Sequence, residues 1–314
     1  MFRKHTRRAA RAAFAISFGV ALLIGIATTG SAGAAKAPAK PTIVLGTKDF
    51  PEEYILGYLY GEALHAKGFK VVYKGNFGSS ELADTAIRTG KMNFYPEYTG
   101  IIALDLAQTA SVNETFPKTA TATYNYAKKY EEKHGLTLLA QTPFVDADTV
   151  TMLTATAKAD GVKTISDLKK LSSFSYAGYP ECQTRITCFA GLQQIYGLDK
   201  ATFVSLGAIS VYTLLDQATV DGGDGFTTDP QQSSKKYTTL VDNKHIFGFE
   251  NVAPVVSKKL LKGSNGMLFE ATCNKVSKLL TVKAMRAMDA AYYAQEGTAK
   301  QIANAFLKAN HLVK

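Results

Sequence analysis

The chain has 314 residues, 46% of them hydrophobic and 20% charged, which suits a soluble globular protein of one large or two medium domains. Its formal charge of +10 is inflated at the start: five basic residues and no acid fall in residues 1–35, which leaves +5 on the rest. No dense Lys/Arg stripe interleaved with aromatics follows, so a nucleic-acid partner is not supported.

Residues 1–35 read as a secretory signal peptide. Arg3, Lys4, Arg7, Arg8 and Arg11 form the basic head, an apolar run spans about Ala13 to Ile26, and Ala32-Gly33-Ala34 gives the A-x-A pattern. The rival is a membrane anchor, but the run is shorter than the ~20 residues a comfortable span needs. The expected location is therefore the periplasm or the exterior. That compartment is oxidising, so Cys182 and Cys188, six positions apart, are expected as a disulfide rather than as two free thiols. Cys273 is left over and expected to be buried. No second Cys/His pair has ligand spacing, so neither a metal nor another cofactor is expected.

In chain order, Thr42–Gly46 reads as a buried strand. A helix follows, with Pro51 in its first turn, Glu52 and Glu53 at its positive end, and Ile55, Leu56, Leu59, Ala63 and Leu64 on one face. Phe69–Tyr73 is a second strand, 81–89 a helix and 92–95 a short strand. Tyr95-Pro96-Glu97-Tyr98 is then expected in a loop. Helix is expected over about 117–135, strand over 150–154, and a helix capped by Ser166. Strand 174–177, helix 188–196, helix 212–218 and a strand near 222–226 follow. Pro254 makes 247–256 read as a crossing or edge segment. From Asn274 onward the chain is mostly helical, with Met285, Met288 and Ala291 on one face. Strands alternating with helices imply an α/β fold, whose ligands gather at the carboxyl ends of strands.

The post-strand positions therefore carry the candidates. Lys48, beside a helix N-terminus, could meet an anion or be a solvated lysine. Tyr98, Tyr212 and Phe226 offer aromatic faces and singly could equally be core. None of the five histidines pairs with a Ser/Asp motif. G-x-S-x-G, phosphate-loop and H-E-x-x-H patterns are absent from the sequence. Asp221-Gly222-Gly223-Asp224-Gly225 lacks the spaced ligands of a calcium loop.

Taken together, Ile43–Gly57 (IVLGTKDFPEEYILG), Gly78–Gly100, Thr164–Leu168 (TISDL) and Pro180-Glu181-Cys182-Gln183-Thr184-Arg185 continuing to Cys188 resemble the substrate-binding proteins of osmoprotectant ABC importers. Those proteins bind glycine betaine, choline and carnitine. The resemblance implies a two-lobed type II periplasmic-binding-protein fold with a ligand cleft between the lobes. One lobe would hold residues 36–145 plus 250–314, the other 146–249. It implies a monomer, a separate ABC permease as partner, and no enzymatic activity. A trimethylammonium group has no N–H to donate, so aromatic faces hold it, at about 1–2 kcal/mol per desolvated contact. A betaine carboxylate needs separate donors.

By resemblance Tyr98, Tyr212 and Phe226 match cage positions, and Lys48 and Arg185 match the carboxylate clamp, one from each lobe. Three positions depart from the family pattern. Ile101 has no hydroxyl, Phe226 replaces a common tyrosine, and Asp148 falls where a further cage tyrosine is usual. Asp146 or Asp148 could pair with a cation, which suits choline or a larger amine. The alternative on the same fold is another small zwitterion, such as an amino acid or a thio-betaine. An enzyme would need a base in the cleft, for which only Asp146 and Asp148 offer themselves.

Overall fold

The computed structural model describes residues 39–107, 117–207 and 209–314; the expected signal segment, 1–35, lies outside these. Apolar runs punctuated by Gly and Pro form two five-stranded sheets. The first runs in the order β2 (Lys70–Tyr73), β1 (Thr42–Leu45), β3 (Phe94–Tyr98), β10 (Val252–Ser257), β4 (Leu136–Leu138). The second runs β7 (Ala201–Ser205), β6 (Phe174–Gly178), β8 (Gly222–Phe226), β5 (Asp148–Leu153), β9 (Tyr237–Thr239). In each, one strand returned from across the molecule lies antiparallel to its neighbours: β10 against β3 and β4, β5 against β8 and β9.

Helix α1 (Pro51–Ala66) follows β1 with no side-chain cap; Pro51 at its start and Glu52 and Glu53 in its first turn support it instead. Its residues Ile55, Leu56, Leu59 and Leu64 are fully buried, each worth about 1.5–3 kcal/mol. They pack with Phe269, Val276, Met285 and Leu307 of the C-terminal helices 263–279, 282–293 and 299–309. A 2.9 Å bond between Tyr60 Oη and Ser277 Oγ ties α1 to the first of these. The second sheet has its own core of Val150, Met152, Tyr176, Phe189, Leu192 and Tyr196.

The chain passes between sheets twice, and the two crossings run side by side. Val145 bridges Asn251, the Asp146 N–H donates to the Glu250 carbonyl at 3.0 Å, and Asn251 Nδ2 donates to the carbonyls of Thr142 and Phe144. Among the described residues, no helix is long and apolar enough to cross a membrane.

Three local expectations need correction. Tyr95–Tyr98 is strand, not loop: β3 is buried along its whole length. Val252–Ser257 is a central strand despite Pro254. That proline faces Pro96 across the β3–β10 ladder, and its carbonyl accepts from Leu139 on the other side. At such an antiparallel position both backbone polar groups point away from the partner strand, so neither proline removes a bond between the two. The short helix at Ile165–Lys170 is capped by Thr164 in a capping box with Asp167; the Ser166 hydroxyl accepts from Asn243 instead.

Candidate functional site

The carboxyl ends of β1, β3, β6 and β8 meet at a buried inner cavity between the sheets. It gathers Lys48, Tyr98, Asp146, Asp148, Arg185 and Phe226, with both half-cystines. Tyr212 is not among its walls. It lines an adjoining outer chamber, which shares Asp146 and Phe226 with the inner one. A larger open groove of about 1050 Å³ runs past Tyr54, Tyr58, Tyr73 and Tyr292. It contains none of the expected residues, and Glu296 is its single charged wall.

Lys48 follows β1 and is 3% exposed. Its Nζ donates to Glu97 Oε1 and lies 3.8 Å from Glu53. The same ammonium sits 4.0 Å from the Tyr98 ring centre and 5.4 Å from that of Phe50. Burial, with Glu97 adding and Lys48 opposing, pushes the Glu53 carboxyl up to about 8. Tyr98, closing β3, donates its hydroxyl to Glu52 at 2.8 Å and stacks on Phe50 at 6.2 Å. The lysine is thus engaged by two carboxylates and by the aromatic pair.

Arg185 comes from the segment between Cys182 and Cys188, whose sulfurs are joined at 2.07 Å; Cys273 is free and buried. The guanidinium reaches across the cleft to Glu81 with three contacts of 3.1–3.2 Å. Gly178, at the end of β6, is needed here, because a Cβ on it would lie 2.8 Å from Cys182 Sγ. Phe226 ends β8 opposite Asp148 of β5, and its ring meets Tyr179 at 6.2 Å. The Tyr212 hydroxyl donates to Asp229 at 2.7 Å and its ring abuts Tyr237 at 4.8 Å.

The cavity is rich in acid. Asp146 accepts from the Thr228 N–H and hydroxyl at 3.1 and 2.6 Å, yet burial pushes its carboxyl up to about 7. Burial does the same for Asp148, with Asp105 and Asp146 adding and Arg185 opposing; it too reaches about 7. Asp224 and Glu250 are held well above the usual carboxylate range by burial and by Asp148. Among the described residues, Oε1 of Glu250 has no hydrogen-bond partner. Gly100 admits this side chain, since a Cβ there would lie 2.5 Å from Glu250 Cγ.

Phe50, Tyr179, Asp224 and Glu250 line the cavity and were not among the sequence candidates. Phe50 lies within the quoted Ile43–Gly57 motif and Tyr179 between the end of β6 and Pro180, so their positions alone were a usable signal. Glu250 had none: only the second crossing brings it back to the site.

Two α/β lobes enclosing a cleft at their strand ends define a type II periplasmic-binding-protein fold, a class that captures solutes. Solved structures share it. A glycine betaine/carnitine/choline ABC transporter structure superposes with a TM-score of 0.67 at 20% identity, covering 86% of this chain and 99% of the other. Apo YehZ from Escherichia coli does so with a TM-score of 0.63 at 22% identity, covering 88% and 100%. The chain belongs to the family of the substrate-binding domain of ABC-type glycine betaine transport systems, whose model matches residues 41–309. A glycine-betaine-binding protein of Pseudomonas aeruginosa is 28% identical over 284 residues, 87% of this chain and 89% of that one.

Proposed function

We propose that the protein captures a quaternary ammonium compound in the inner cavity and, once exported, delivers it to the permease of an ABC importer. The observation that carries this reading is the aromatic lining: Phe50 and Tyr98 come from the first lobe, Tyr179 and Phe226 from the second, and all four face one cavity. Faces contributed by both lobes complete their contacts with a cation only on closure, which couples binding to closure. The free space is about 60 Å³.

The carboxylates set the charge the site prefers. Lys48 is paired with Glu97, with Glu53 beside it, and Arg185 is paired with Glu81. Asp146, Asp148, Asp224 and Glu250 also face the cavity, four acids against the two bases Lys48 and Arg185, which oppose the raising of their carboxyls. This arrangement supports choline, a cation, over glycine betaine, whose carboxylate would have to displace an existing acid from Lys48 or Arg185. In this reading Lys48 braces Tyr98, and Arg185 braces the closed cleft. Asp146 and Asp148 serve as counter-charges to the ligand rather than as catalytic bases.

Calorimetry with choline, glycine betaine and carnitine tests the reading. Choline is expected to bind most tightly, and at 100 times its Kd to stabilise the fold by about 2.7 kcal/mol. Tyr98→Ala and Tyr179→Ala are each expected to weaken choline by about 1–2 kcal/mol. No heat and no thermal shift with any of the three compounds would defeat the proposal.

A further inference from the structure

The quaternary-ammonium reading leaves the outer chamber without a role. It encloses about 290 Å³. Its walls include Glu52, Asp146, Asp229 and Asp289, and no lysine or arginine lines it. The Arg286 guanidinium, which opposes Asp229, donates to the Thr227 carbonyl at 2.6 and 3.0 Å.

Among the described residues, no amide, hydroxyl or ammonium group donates to two carboxylate oxygens in these walls, Oε2 of Glu52 and Oδ1 of Asp289. Both residues are buried, 5% and 4% exposed. Other acid oxygens nearby are occupied: Oε1 of Glu52 accepts from Tyr98, and Oδ2 of Asp229 accepts from Tyr212 and from the Phe226 N–H. A bare buried carboxylate oxygen is costly, and an arriving donor removes that cost. The carboxyls of Glu52 and Asp289 lie within hydrogen-bonding reach of each other and share a proton, whose place an arriving ammonium would take; burial first, then Asp146, holds both well above the usual carboxylate range, with Asp289 adding at Glu52 and the Glu52 hydrogen bond opposing at Asp289. A metal ion fits poorly. Among the described residues, the group that sets three ligand-type atoms within 4.8 Å of one another is Cys182, Cys188 and Asp224, whose sulfurs are already joined. The outer carboxylates are spread more widely and suit an organic cation with several N–H donors.

We infer that the outer chamber is a second cation subsite, so that the cleft takes a ligand with two positive ends: a quaternary ammonium head in the inner cavity and a protonated amine against Glu52 and Asp289. The inference rests on the quaternary-ammonium reading of the inner cavity. A ligand of this kind gives both oxygens an ammonium donor, which a small betaine does not.

A ligand ladder on the purified wild-type protein tests it without relying on any variant. Calorimetry compares (CH3)3N+–(CH2)n–NH3+ with (CH3)3N+–(CH2)n–CH3 for n from about 2 to 6. At least one diamine is expected to bind about tenfold more tightly than its neutral-tailed counterpart. In Asp289→Asn that advantage is expected to vanish while the neutral-tailed compound binds as before. If the neutral-tailed compounds bind and no diamine exceeds its counterpart, the second subsite is refuted and the quaternary-ammonium reading stands. An advantage that survives intact in both Asp289→Asn and Glu52→Gln refutes the assignment to these two acids. If no compound of either series binds, the quaternary-ammonium reading falls and takes the subsite with it.

Discussion

Lys48 shows how a charged residue changes meaning with its neighbours. Its place after β1 suggested a partner for a ligand anion; in the fold its ammonium donates to Glu97, lies 3.8 Å from Glu53 and rests on the Tyr98 ring. The neighbouring acids carry a pH signature. Asp146 and Asp148 each titrate at about 7 in the folded protein. A group of that pKa is about one-tenth ionised at pH 6 and about nine-tenths at pH 8. A cationic ligand favours the ionised form, so choline affinity is expected to rise several-fold from pH 6 to 8 and then level off. Calorimetry in buffers of different ionisation enthalpy should also show proton release on binding near pH 7. A flat profile would exclude these carboxyls as counter-charges. For the unliganded protein the sign reverses. Both pKa values are raised above the unfolded value of ~4, so their contribution to stability is present in full below that value and is lost as pH rises through about 7.

The elements most legible in the sequence were those with a strong period or a strong punctuation mark. α1 was readable from its apolar face and Pro51, and β1, β2, β6 and β8 from short apolar or Gly-bounded runs. The strands β4, β7 and β9 were not. They are sheet edges of 3, 5 and 3 residues; β7 and β9 are part-exposed and have no continuous apolar run to read, and β4, though buried, is three residues long and follows closely on the helix 120–132. β10 was misjudged because the effect of Pro254 depends on which way its missing N–H points, and that is a matter of register. The Cys182–Cys188 staple holds the short helical turn at Pro180–Gln183 against the start of helix 189–194, with Arg185 between. A loop this short constrains the unfolded chain by about 2 kcal/mol. Reducing it, or replacing both cysteines by serine, should lower Tm by roughly 5 °C and weaken ligand binding by loosening Arg185. Scanning calorimetry with and without reductant, with and without choline, measures both effects. An unchanged Kd would show that the staple is purely structural.

At the level of the whole molecule, the contacts among the described residues that bind one lobe to the other across the cleft include Arg185 to Glu81, Thr187 Oγ1 to Asp105 at 2.7 Å, and Arg286 to the Thr227 carbonyl. All belong to a closed state, and each is lost if the lobes part. Arg286 lines neither the inner cavity nor the outer chamber, so it isolates closure from direct ligand contact. Removing a charge-assisted bond costs about 1.5 kcal/mol. Arg286→Ala is therefore expected to shift the unliganded protein toward an open form, seen as a larger radius of gyration by small-angle scattering, and to weaken choline about tenfold. Equal radii for variant and wild type would remove Arg286 from the closure mechanism.

The sequence by itself determined the class of fold and the order of the motifs, because periodicity, caps and post-strand segments are local properties of the chain. The resemblance of its motifs to osmoprotectant-binding proteins also put Lys48, Tyr98, Arg185, Tyr212 and Phe226 forward as ligand-facing candidates, with Asp146 and Asp148 beside them. Only the tertiary structure decided what these residues face. Tyr212 turned toward Asp229 in the outer chamber, Phe50 and Tyr179 completed the aromatic lining, and Glu250 returned to the site with its Oε1 unpaired among the described residues. The physical reason is that the charge balance of a buried cleft is a sum over groups far apart in sequence. It is set by which acids and bases burial brings within a few ångströms of each other, and no local pattern records that.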